Sequence, residues 1–116
     1  MATLADLVHG LAERPGVTAA VVASPDGLPI TQSGIVSDPE ALAALTVTIA
    51  RTATRLADTG TLGAPARLVV ECANGLAIFG LVRGGNWLLM LTDADADIGQ
   101  LLYDLRQEGP ALAAQL

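Results

Sequence analysis

One stretch limits what this chain can fold into more than any other: "SDPEALAALTVTIARTATRLADTG", residues 37 to 60. Asp38 followed by Pro39 suits an N-cap with proline at the first helical position. Ser37 and Glu40 have capping-box spacing, and Gly60 suits a C-terminal cap. At about 100° per residue, Leu42, Leu45, Ile49, Ala53 and Leu56 form one stripe. Ala43, Val47, Ala50, Thr54 and Ala57 form a second stripe of smaller side chains beside it. Arg51, Arg55 and Asp58 share the narrow polar strip that remains. One sheet needs one apolar face. The larger stripe, Ile49 included, is therefore expected on the protein's own sheet. The small-residue stripe is expected to meet a partner helix at close range.

The rest of the chain supplies that sheet. Thr3 and Asp6 resemble a capping box ahead of Leu4, Leu7, Val8 and Leu11, so a first helix is predicted that stops at Pro15-Gly16. "VTAAVVAS" reads as a strand, Ser24-Pro25-Asp26-Gly27 as a turn, and Leu28 to Gln32 as a second strand that Pro29 marks as an edge. "RLVVECA", "LAIFGLVR" and "WLLMLTD" are three more strands, divided by Asn74-Gly75 and Gly84-Gly85-Asn86, both read as turns with positive φ. A last helix begins near "DADADIG", and Gly109-Pro110 is expected to kink or break it. The order α-β-β-α-β-β-β-α makes residues 1–116 a single α+β domain.

Composition restricts the partners. Acidic residues outnumber arginines twelve to six, lysine is absent and the formal charge is −6, which disfavours nucleic acid and anionic membrane surfaces. No apolar run reaches the length of a membrane span, and the N-terminal stretch lacks a basic leader, so no membrane insertion and a cytoplasmic location are expected. A hydrophobic share of 52% with 3% aromatics implies an aliphatic core and apolar surface left for association.

Chemistry is thinly represented. Asp93, Asp95, Asp97 and Asp104 match positions 1, 3, 5 and 12 of a calcium loop, but Ile98 stands where that loop needs glycine, and the acids suit a helix start better. His9 is the single histidine. Ser24, Ser33 and Ser37 lie in turn or cap contexts, so no catalytic set is assigned. Cys72, the single cysteine, falls on the same strand face as Leu68 and Val70 and is expected as a buried thiol. No metal, cofactor or enzymatic activity is expected. The contrasting alternative is a sensor domain holding a small apolar ligand between sheet and helix, which scarce aromatics disfavour.

Three segments, "PGVTAAVVASPDGLPI", "DPEALAALTVTIARTATRLA" and "LVVECANGLAIFGLVRGGNWLLMLTDADADIGQLLYDLR", together resemble the roadblock family of dynein-light-chain-like domains, bacterial gliding-motility regulators among them. The resemblance implies a five-stranded antiparallel sheet in the order 2-1-5-4-3, with helices on both faces. It also implies a homodimer, or a heterodimer with a similar domain, built from the middle helix and an edge strand. Here those are Ala43, Val47, Ala50, Thr54 and Ala57 with Leu68, Val70 and Cys72. It further implies a non-catalytic platform for a small Ras-like GTPase, modulating its nucleotide cycle or localisation. Arg51 and Arg55 are the residues placed to dock it.

Overall fold

The computed structural model describes residues 2–116. Helix α1 spans Leu4–Ala12, strand β1 Val17–Ala23, β2 Pro29–Gly34, helix α2 Pro39–Thr59, β3 Arg67–Cys72, β4 Gly75–Leu81, β5 Trp87–Thr92 and helix α3 Ile98–Ala114. The strands form one antiparallel sheet in the order β2-β1-β5-β4-β3, with Pro29 on an edge strand as its missing N–H requires.

Side-chain alternation along the strands makes two cores. On one face Ala20, Val22, Ile78, Leu88 and Met90 pack against Val8 and Leu11 of α1 and Leu101, Leu105 and Leu112 of α3. On the other, Val21, Ala23, Phe79, Trp87 and Leu89 pack against Ala43, Val47 and Ala50 of α2. Two helices therefore cover one face and a single helix covers the other.

The caps follow local chemistry. Thr3 and Asp6 form the reciprocal capping box at α1. At α2 the cap is Asp38, whose Oδ1 accepts from the Ala41 N–H at 3.0 Å, with Pro39 at the first position. Asp97 caps α3 by accepting from Gln100 N–H at 3.0 Å.

Two local expectations are corrected. The hairpin between β3 and β4 pairs Cys72 with Gly75, and neither Asn74 nor Gly75 has positive φ. Gly75 is needed for space instead, because a Cβ there would overlap the Thr92 carbonyl oxygen. The second turn behaves as expected, with Gly84 at φ 72 and Gly85 at φ 79. Gly109-Pro110 does not break α3, which continues to Ala114. Continuing the helix carries Leu112 into the core with no exposed surface. That burial offsets the hydrogen bond that proline cannot donate.

The α1 cap is pH-dependent. The backbone N–H of Thr3, and then its hydroxyl, hold the Asp6 carboxyl below the ordinary 3.8. A carboxyl depressed on folding stabilises above its unfolded pKa, and that contribution disappears as pH falls through the folded value. An NMR titration is expected to place the Asp6 carboxyl below 3.8, with protection of the first turn of α1 lost on acidification. Asp6→Asn should remove that acid dependence. An Asp6 titrating at its ordinary value would contradict the capping account.

Candidate interaction surface

Helix α2 settles which of its stripes faces inward, and the arrangement is largely the reverse of the expected one, with only Leu42 and Ile49 of the larger stripe packed against the inner cluster. Ala43, Val47, Ala50 and Ala57 are buried against the chain's own sheet. Leu45 and Leu56 are 56% and 71% exposed, and Ile49 and Ala53 are partly exposed beside them. The correction has a steric cause. A small-residue face lets the helix axis settle close to the strands, where Trp87, Phe79 and Leu89 already provide bulk. Gly27, in the turn after β1, sits so close that a Cβ would lie 3.4 Å from the Ala44 backbone. Thr54, the remaining member of that stripe, is exposed and its hydroxyl donates to the Ala50 carbonyl at 2.9 Å.

The outward stripe and the sheet edge form one trough. Thr48, Ile49, Thr52, Ala53 and Leu56 of α2 face Leu68 of β3 across an open hollow of about 300 Å³. A second hollow of about 150 Å³ continues it between Leu42, Leu45 and Ile49 and the strand residues Ala77, Phe79 and Leu91. Two threonines in the wall do not make it polar. Thr48 and Thr52 donate to the carbonyls of Ala44 and Thr48, both at 3.0 Å, so their hydroxyl protons are already engaged within the helix.

The strand residues expected at a contact remain on the surface. Leu68 is half-buried beneath α2, and Val70 is 40% exposed. Cys72 is exposed and free, not buried as its strand position suggested, because it closes edge strand β3 at the end away from Leu68, the residue that α2 half covers. Arg51 and Arg55 are exposed on the polar strip. Arg51 Nη2 donates to the Pro25 carbonyl at 3.4 Å, tying α2 to the first turn.

The acidic segment is spent on local structure. Asp93 accepts from Asp95 N–H at 3.0 Å, and Asp97 is the α3 cap. Asp104 lines the same hollow as these acids, accepts from Gln100 Nε2 at 2.9 Å and lies 3.8 Å from Arg14 Nε. One grouping that the sequence reading left unassigned is brought together. Ser33 Oγ and His9 Nδ1 lie 3.0 Å apart, and His9 Nε2 contacts Glu13. The i,i+4 spacing of His9 and Glu13 was legible, but Ser33 joins them only through the packing of α1 beside β2. All three groups lie at the surface, where they pin α1 to the strand edge.

A single antiparallel five-stranded sheet, with two helices on one face and one on the other, defines an α+β domain. The Roadblock/LC7 domain model matches residues 3–95, and the chain belongs to that family. A Roadblock/LC7 domain from Streptomyces avermitilis is 27% identical, with 97% of each chain covered and a TM-score of 0.89. Myxococcus xanthus MglB is 16% identical over 96% of this chain and 92% of that one, also with a TM-score of 0.89. The gliding protein MglB of Thermus thermophilus is 15% identical, covering 97% and 87%, with a TM-score of 0.85. These last two share the fold. No curated protein sequence matches the chain.

The reversed helix faces are directly testable. Val47→Glu is expected to abolish the cooperative urea transition, because it buries an unpaired charge. Leu56→Glu should retain the far-UV circular dichroism of the folded chain. The opposite ranking would return the small-residue stripe to the surface.

Proposed function

We propose that this chain is a non-catalytic adaptor that acts as a dimer, docks a small Ras-like GTPase and modulates its nucleotide cycle or localisation. The observation that carries the reading is the apolar trough between α2 and β3, contiguous with an open strand edge. Large aliphatic side chains on one continuous face favour association with a matching surface, each contributing about 1.5–3 kcal/mol when fully buried. A second copy supplies that match through its own Leu45, Ile49 and Leu56. Leu68, Val70 and Cys72 stay in the proposed interface, whereas the helix contribution passes from the small stripe to the large one.

Family membership supports the adaptor role, and the MglB neighbours support a part in regulating gliding-type motility. The GTPase comes from that resemblance. Arg51 and Arg55, exposed on the strip beside the trough, are the docking residues in this reading. The sensor alternative loses support because Val47, Ala50, Phe79, Trp87 and Leu89 pack together beneath α2, which leaves only open hollows at the margin of the helix and no enclosed ligand chamber there.

Light scattering at micromolar concentration is expected to give twice the 11.8 kDa chain mass, and Leu45→Glu with Leu56→Glu should return it to a folded monomer. A wild-type monomer would overturn the dimer. For the GTPase, direct titration with the purified Ras-like partner in each nucleotide state should show binding that Arg51→Ala with Arg55→Ala weakens about tenfold or more, as loss of charge-assisted contacts predicts. Unchanged binding would remove those arginines from the interface.

A further inference from the structure

We infer that β3 carries a self-recognition code: two copies pair antiparallel about a two-fold axis through Val69, with Arg67 of each opposite Glu71 of the other. The inference rests on the dimer proposed above and specifies its register and its preference for a second copy of this chain.

The backbone determines which groups are free. Ala66 C=O accepts from Leu81 N–H at 2.9 Å, and β3 pairs with β4 in continuous register from Arg67 opposite Gly80 to Cys72 opposite Gly75. Hydrogen-bonding direction alternates along a strand. The N–H and C=O groups of Leu68, Val70 and Cys72 therefore point toward β4, and those of Arg67, Val69 and Glu71 point out of the sheet. These outward groups form an edge ready to receive another strand.

Symmetry then restricts the register. Residues directly opposite one another in an antiparallel pair share a sheet face, so the axis must pass through a single residue. An axis through Arg67 sets Arg67 against itself, and one through Glu71 sets Glu71 against itself, each with like charges opposed. Through Leu68, Glu71 falls opposite Pro65, which has no N–H to donate. Through Val70, Arg67 faces Ala73 and Glu71 faces Val69, leaving both charges without a match.

Through Val69, Arg67, Val69 and Glu71 each exchange both backbone bonds with the second copy. Two opposite-charge pairs flank the Val69–Val69 contact, and on the α2 face Leu68 meets Val70. Both Arg67 and Glu71 are exposed, and neither is ion-paired among the described residues. In this register Cys72 lies opposite Ala66 and far from the other Cys72, so the native thiols do not crosslink.

A charge-swap pair tests the code. Arg67→Glu alone and Glu71→Arg alone each place two like-charge pairs across the axis and should weaken self-association about tenfold or more. Mixed together, the two variants restore both opposite-charge pairs and should form the heterodimer in preference to either homodimer, read by native mass spectrometry. Ala66→Cys should form an intermolecular disulfide with native Cys72 on mild oxidation, because opposed non-bonded positions lie within disulfide range. Random mixing of the two charge variants, or no Ala66→Cys crosslink in a dimeric protein, would overturn the register and leave the dimer standing. A monomeric wild-type chain would overturn both.

Discussion

A helix about 10–12 Å across cannot cover five strands spaced about 4.8 Å apart. That mismatch organises this molecule. On one face α1 and α3 share the task, and the strand residues beneath them are buried. On the other, α2 lies over Val21, Ala23, Phe79, Trp87 and Leu89 and half covers Leu68, and the rest of the β4–β3 side of that face stays open. The trough is a consequence of arithmetic between element widths, and its apolar walls make that consequence useful.

The two edges of the sheet are unlike for equally local reasons. Strand β2 begins with a proline, pairs with β1 through a register irregularity near Val22 and Ala23, and carries α1 beside it. Each of these features discourages another strand from adding there. Strand β3 has six residues in unbroken register with β4 and no proline within Arg67–Cys72. The open edge lies next to the open trough, so the unpaired backbone groups and the apolar side-chain surface are continuous.

Much of this was legible in the chain. Asp38-Pro39 announced the start of α2, Thr3 and Asp6 the start of α1, and the alternating apolar runs the strands. The two stripes of α2 were also visible from the periodicity of Leu45, Ile49 and Leu56 beside Ala43, Val47 and Ala50. Their assignment was not, because a helical wheel reports angles and carries no information on how near the sheet lies. Close approach favoured alanines beneath the helix, and the leucines were left outside. Gly75 teaches the same lesson: its reason is the Thr92 carbonyl across the sheet, a neighbour seventeen positions away that no turn rule mentions.

Alone, the sequence determined the elements, their order, the aliphatic core and the excess of apolar surface, since those depend on residue type and short-range spacing. Tertiary structure decided which stripe of α2 is inside, that Cys72 is open to solvent, that α3 runs through Pro110, and that Arg67 and Glu71 flank an outward-facing edge. Each of those turns on the distance between elements remote in the chain, and distance is what packing sets.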